Sequence, residues 1–222
     1  MIPLGDNVKK LGYGFIIWLI ILANIVVTFR IFNLPIWDYF SFLKNYSFNS
    51  SESLSVGNFI KRAVASMHMH GSLSHLWLNM WFLFVFGVSV EEAVGPWGFA
   101  LLYYASGLAG WFLYYLLTLQ NLPAMGSSGA VSGVMACYLV LFPRARIQSF
   151  WLLFFTVRLI YVPCWLYIGA WAIYQFMSLS GNNTSIAYEA HAGGIIFGIL
   201  FGLAYKFLNG RRPVYVKPEN SD

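Results

Sequence analysis

From Leu11 to Val27 the chain carries no charged residue, and similar apolar runs recur at 75–90, 97–119, 128–142, 163–179 and 189–208. A hydrocarbon layer about 30 Å thick is crossed by roughly 20 helical residues. Its interior has no water to satisfy a bare backbone, so runs of this kind fold as helices that pack on one another. Only 9% of the residues are charged, against about 25% in soluble domains. The expected fold class is therefore an all-α polytopic membrane protein, a six-transmembrane-helix bundle in which residues 1–222 form one domain, with spans at about 11–29, 75–90, 97–119, 128–142, 163–179 and 189–208.

A net charge of +5 on a soluble chain would raise the question of nucleic acid. Here the basic residues cluster at the chain ends and in loops, where they set topology and meet lipid head groups. The lipid bilayer is the expected partner and nucleic acid is not. Cys137 and Cys164 lie in apolar stretches without a ligand cluster and read as buried free thiols.

The segment 147–162 is the ambiguous one: apolar, yet interrupted by Gln148, Ser149 and Arg158. If it crossed, the tail with Arg211, Arg212 and Lys217 would lie opposite Lys9 and Lys10. Arg158 at bilayer depth would also cost about 2.5–3.5 kcal/mol on insertion scales. If it stays at the interface, the basic residues fall on one side, as the positive-inside rule prefers. Six spans is the better count. The short termini then suggest a bacterial inner membrane with both ends cytoplasmic.

That topology brings the starts of the second, fourth and sixth spans to one depth. They carry His75 and Asn79, Ser128, and His191. His75 and Asn79 are four residues apart and share a helix face. The fourth span opens on Gly126-Ser127-Ser128-Gly129, a turn that sets a hydroxyl beside free N–H groups and the positive end of a helix. Gly129 and Gly133 on this span, and Gly194, Gly198 and Gly202 on the sixth, form stripes along which two backbones can approach closely. If those stripes meet, His191 reaches Ser128. A serine hydroxyl becomes a nucleophile when a neutral imidazole takes its proton. Glu189 lies two residues from His191, about 200° around the helix, so a dyad is expected rather than a triad. His68, His70 and His75 lack the His-Glu-x-x-His spacing of a zinc protease, and no metal or cofactor is expected.

Together, His70-Gly-Ser-Leu-Ser-His75-Leu-Trp-Leu-Asn79, Gly126-Ser-Ser128-Gly129-Ala-Val-Ser-Gly133 and His191-Ala-Gly-Gly194-Ile-Ile-Phe-Gly198 resemble the rhomboid family of intramembrane serine proteases. The resemblance implies that Ser128 is the nucleophile and His191 the general base. It also implies that the Ser128 N–H, His75 and Asn79 form the oxyanion hole beside Gly126, and that the substrates are single-span transmembrane proteins. Arg62 resembles the arginine of the family's first-loop Trp-Arg pair, with Lys61 in the tryptophan's place. Ser132 stands where many members carry an aromatic against the histidine, so His191 needs another support, for which a third-span tyrosine is the candidate. The alternatives are a catalytically inactive relative that binds membrane proteins and, less well matched, a small transporter. A transporter would carry charges or broken helices at the midplane.

Overall fold

A computed structural model describes residues 2–8, 12, 14–52, 54–118, 123–153, 156–180 and 186–209, without the side chains of 151–157 and 180. Lys9, Lys10 and the basic tail, on which the orientation argument rests, lie outside the described residues. In chain order the elements are β1 (Ile2–Asp6), α1 (Phe15–Phe32), α2 (Ile36–Tyr46), α3 (Val56–Met67), α4 (Leu73–Val94), α5 (Pro96–Leu117), α6 (Ser128–Leu141), β2 (Arg146–Leu153), β3 (Thr156–Pro163), α7 (Cys164–Met177) and α8 (Tyr188–Asn209). The chain is a mostly helical, polytopic integral membrane protein. Among the described residues α1, α4, α5 and α8 are long and apolar enough to cross a membrane, and α6 is apolar but shorter. The 22 residues of α4, α5 and α8 reach about 33 Å at 1.5 Å per residue, whereas the 14 of α6 reach about 21 Å.

Local chemistry starts the helices. The Ser72 hydroxyl accepts from the His75 N–H at 3.1 Å and caps α4. Gly95, at φ 78°, turns the chain between α4 and α5, and Pro96 follows at the first helical position, where its missing N–H has no cost. The α1 N-terminus has no side-chain cap of its own. Glu91, buried near the end of α4, accepts from the Ile16 and Ile17 N–H groups at 2.9 and 2.8 Å. This puts a carboxylate on the positive end of a helix.

Helix α8 runs parallel to α6, backbone against backbone. A Cβ at Gly194 or Gly198 would fall on the main chain of Gly129 or Gly133 respectively, and one at Gly202 would meet Val140 and Cys137. On its other side α8 presses Gly193 onto Ala109 and Gly110 of α5. Helix α6 is thereby enclosed; eleven of its residues, from Gly129 to Leu141, are buried. Cys137 and Cys164 are free and buried.

The connection 30–74 contains α2 and α3. Trp37, Phe40 and Ile36 on α2 are exposed, as side chains resting in an interface would be. Arg62 on α3 pairs with Glu52 at 3.0 Å and donates to the Ser47 carbonyl at 3.4 Å, while the Lys61 ammonium lies 4.8 Å from the Tyr46 ring centre.

The described residues of 147–162 are strand, paired as the two arms of a hairpin. Strands β2 and β3 pair antiparallel from Arg146–Pro163 to Leu153–Thr156, and β1 adds antiparallel to β2 with a register shift between Pro3 and Gly5. Valines, isoleucines and aromatics favour pleated backbone, and pairing within the hairpin satisfies polar groups that a helix would satisfy internally. The sheet adds to the helical bundle at the end opposite the starts of α4 and α6. There Asp6 accepts from Ser89 at 2.8 Å and from Tyr138 at 2.9 Å, and the Trp81 indole donates to the Pro3 carbonyl at 2.6 Å.

The glycine seam is testable by contrast. Gly198→Ala should lower the stability of the protein in detergent by about 1–3 kcal/mol, because its methyl has no space. Gly169→Ala on α7, whose methyl would meet nothing within 4 Å, should be neutral or gain up to about 1 kcal/mol of helix propensity. Thermal denaturation of the two variants side by side reads the difference.

Candidate active site

Ser128 is the first residue of α6, and its neighbour Ser127 makes no side-chain cap. The first N–H groups of a helix have no intrahelical partner, so they stay available beside the Ser128 hydroxyl. The α6–α8 seam sets His191, in the first turn of α8, level with that hydroxyl. Ser128 Oγ lies 2.8 Å from His191 Nε2. The adjacent Ser127 hydroxyl instead meets His70 Nε2 at 3.2 Å. The two serines therefore have separate partners.

The His191 ring is held from α7 and from its own helix. Its Nδ1 is 2.7 Å from the Gln175 side-chain oxygen. Trp171 lies tilted by 32° at a ring separation of 6.4 Å, and Tyr188 presents an edge at 6.2 Å. The expectation of a third-span tyrosine as support is corrected here. On α5, Tyr104 meets His68 Nε2 at 3.3 Å and the Tyr103 hydroxyl receives the Asn24 amide at 3.4 Å. Glu189 is an electrostatic neighbour of Tyr114 on α5.

Gly126 lies under the His75 ring. Its φ is 134°, and a Cβ there would run into the imidazole, so position 126 excludes any side chain for two separate reasons. The Gly126 N–H donates to the Ser66 carbonyl at 2.9 Å. Asn79 donates one amide hydrogen to the His75 carbonyl at 3.0 Å, which leaves the second for the space in front of it. That space is a cavity of ≈ 560 Å³ whose walls include His75, Asn79, Ser128, Ser132, Trp171 and His191. Ser132 turns its hydroxyl back onto the Ser128 carbonyl at 2.6 Å.

Behind the Gly126–Ser128 turn lies a buried relay. His70 joins Ser127 through Nε2 and Thr28 of α1 through Nδ1, the latter at 3.2 Å. Burial, followed by the neighbouring His75 and His68, pushes the His70 imidazole down to about 3, and burial lowers His68 as well. Both rings are neutral structural groups at physiological pH.

Sequence reasoning missed Gln175 and the Thr28–His70–Ser127 relay. A signal existed for the first. Gln175 is an amide in an otherwise apolar and aromatic helix, and a polar group inside a membrane segment is by default a functional candidate.

This arrangement defines a class: a membrane-embedded bundle with a paired serine and histidine facing a cavity. The Rhomboid domain model matches residues 58–206, and the chain belongs to the rhomboid family. Rhomboid protein 1, mitochondrial, of Saccharomyces cerevisiae is 33% identical over 151 residues, covering 63% of this chain and 40% of that protein. RHOMBOID-like protein 12, mitochondrial, of Arabidopsis thaliana is 28% identical over 191 residues, covering 78% of this chain and 52% of that protein. Inactive RHOMBOID-like protein 8 of Arabidopsis thaliana is 31% identical over 90 residues, covering 40% and 25%. The chain thus spans about half or less of the length of these relatives. Several relatives are mitochondrial by name, so they lend no support to the bacterial inner membrane expected from the short termini.

The relay makes a pH prediction. His70 is held neutral in the fold with a value near 3, below the ~6.5 of an unfolded histidine. The unfolded chain therefore binds the proton first. Stability is full above pH 6.5 and falls as pH drops from 6.5 toward 3, by about 1.4 kcal/mol per pH unit from this group. Denaturation midpoints measured across that window should show this slope, and His70→Gln should be less stable at pH 7 with a shallower slope.

Proposed function

We propose that this chain is a serine endopeptidase that cleaves single-span membrane proteins in or near their transmembrane segments. Rhomboid-family proteins are generally intramembrane serine proteases that act on membrane-protein substrates. The observation that carries the reading here is the 2.8 Å approach of Ser128 Oγ to His191 Nε2 at a cavity wall.

In this reading the Ser128 oxygen attacks the scissile carbonyl carbon as its proton passes to His191 Nε2. The negative charge that develops on the carbonyl oxygen meets the Ser128 N–H at the positive end of α6, with the His75 ring and the second Asn79 amide hydrogen as further donors. Each such donor is worth about 2.7–4 kcal/mol in enzymes where one has been removed. As the tetrahedral intermediate collapses, the C–N bond breaks and His191 returns the proton to the leaving amine. A water molecule then adds to the acyl-serine, giving its proton to His191, and the C–O bond to Ser128 breaks to release the carboxylate product and the free hydroxyl. An α-helical peptide bond is shielded by its own turn, so a substrate must unwind locally. Transmembrane helices with small or helix-destabilising residues near the cleavage point fit that demand.

A second reading, a membrane-protein binding factor without activity, has a relative behind it that is named inactive. Possession of both Ser128 and His191 favours the protease. Ser128→Ala and His191→Ala should each abolish cleavage of a single-span reporter in proteoliposomes while leaving the thermal transition in place. Fluorophosphonate labelling of the wild type should disappear in Ser128→Ala. Asn79→Ala should slow cleavage by roughly 10- to 1,000-fold, since other donors remain. A wild type that binds the reporter but neither cleaves it nor takes the label would assign the chain to the binding reading.

A further inference from the structure

Gln175 is 4% exposed, in a helix whose other side chains are apolar or aromatic. A buried amide without a partner is costly, and its oxygen lies 2.7 Å from His191 Nδ1, on the ring edge away from Ser128. Trp171, four residues earlier, touches the same imidazole, and positions four apart share a helix face. One face of α7 is therefore shaped around the histidine.

We infer that Gln175 is a positioning residue for the catalytic histidine, the third member of a Ser128–His191–Gln175 arrangement; this rests on the proposed role of the first two. The chemistry is a matter of which nitrogen carries the proton. A neutral imidazole has one N–H and one lone pair. The Gln175 oxygen can only accept, so at 2.7 Å it requires the proton on Nδ1. The lone pair then sits on Nε2, facing the Ser128 hydroxyl, as a general base must. With the proton on Nε2 instead, the ring would donate to Ser128 Oγ and could not take its proton. When Nε2 is protonated during acylation, the amide oxygen still accepts from Nδ1–H, so the ring keeps its orientation through both proton transfers. In the Ser-His-Asp proteases a buried carboxylate does this and adds charge stabilisation. Here a neutral amide supplies orientation without charge. That suits a site among apolar helices, where an added carboxylate would bear a desolvation cost.

The titratable groups around the ring are few among the described residues. His75 of α4 is an electrostatic neighbour. Tyr188 of α8 meets the ring edge-on and bonds Tyr174 of α7 at 3.4 Å. From α6 the ring meets the Ser128 hydroxyl, and Glu189 is a neighbour of Tyr114 on α5.

Two readouts test the inference in the full chain. The first is phosphonylation of Ser128 by a fluorophosphonate, in which the Ser128 Oγ–P bond forms as fluoride leaves, resolved into a maximal rate and a half-saturating concentration across pH. Gln175→Leu should lower the maximal rate by roughly 10- to 100-fold and leave half-saturation unchanged, between the loss of one neutral hydrogen bond and the ~10⁴ of a mis-set tautomer. Gln175→Glu, nearly isosteric, should recover most of the rate and move the acidic limb of the profile to higher pH by roughly one to three units, because its carboxylate favours the imidazolium. The second readout is ¹⁵N NMR of histidine-labelled protein in detergent micelles, where the chain's four histidines can be assigned by substitution. Wild-type His191 should show the Nδ1–H tautomer and Gln175→Leu a mixture. Gln175→Leu or Gln175→Glu with wild-type rate and profile, or wild-type His191 in the Nε2–H form, would overturn the inference. The tautomer is measured without turnover. An Nδ1–H ring in a protein that takes no label would leave Gln175 in place and remove the protease reading instead.

Discussion

The structure depends on the contact between α6 and α8, where Gly194 and Gly198 lie directly on the backbone of Gly129 and Gly133. Lipid tails are as apolar as leucine, so helices in a bilayer gain little from hiding apolar side chains from one another. Close main-chain packing is what they gain from instead. With no side chains between them, the two axes come near enough for Ser128 and His191 to touch across the seam. A methyl group at Gly198 would push against the Gly133 carbonyl and move the whole top of α8, and with it the histidine. The same glycines that hold the bundle together thus set the distance on which the proposed chemistry depends.

A second constraint is the cost of leaving polar groups inside such a bundle without partners, and two sets of partnered groups lie at opposite ends of the molecule. At one end lie Ser128, His191, His75 and Asn79 around the cavity, backed by Gln175, Thr28, His70 and Ser127. At the other, Asp6 gathers Ser89 and Tyr138 while Glu91 takes the first N–H groups of α1. The shortness of α6 separates them. A 14-residue helix does not fill the thickness that α4, α5 and α8 fill. The Gly126–Ser128 turn can therefore lie level with the first turn of α8, at the side of a cavity.

The helical character of the bundle, the chain order of Ser128 and His191, and the glycine stripes were legible in the sequence, because each follows from local composition or from a spacing of three or four residues. The hairpin was legible only as a segment unlikely to cross. Strands β2 and β3 pair with each other, and β1 joins β2 from the far end of the chain; pairing between distant segments leaves no periodic mark. His68 and His70 stood out as histidines, yet their partners Tyr104, Thr28 and Ser127 come from three different elements, and nothing in the spacing chooses among them.

The sequence by itself determined that this chain is a membrane-embedded helical bundle and which serine and histidine stand at the starts of their spans. Apolar length and helical period are properties of a single segment and survive without knowledge of its neighbours. Only the tertiary structure decided that His191 leans on Gln175 and Trp171 of α7 rather than on a tyrosine of α5, that His70 serves Ser127, and that Gly126 lies beneath His75. Those contacts join side chains on different helices. Their geometry is fixed by how the helices rotate and slide against one another, which the glycine seam sets and the residue order does not encode locally.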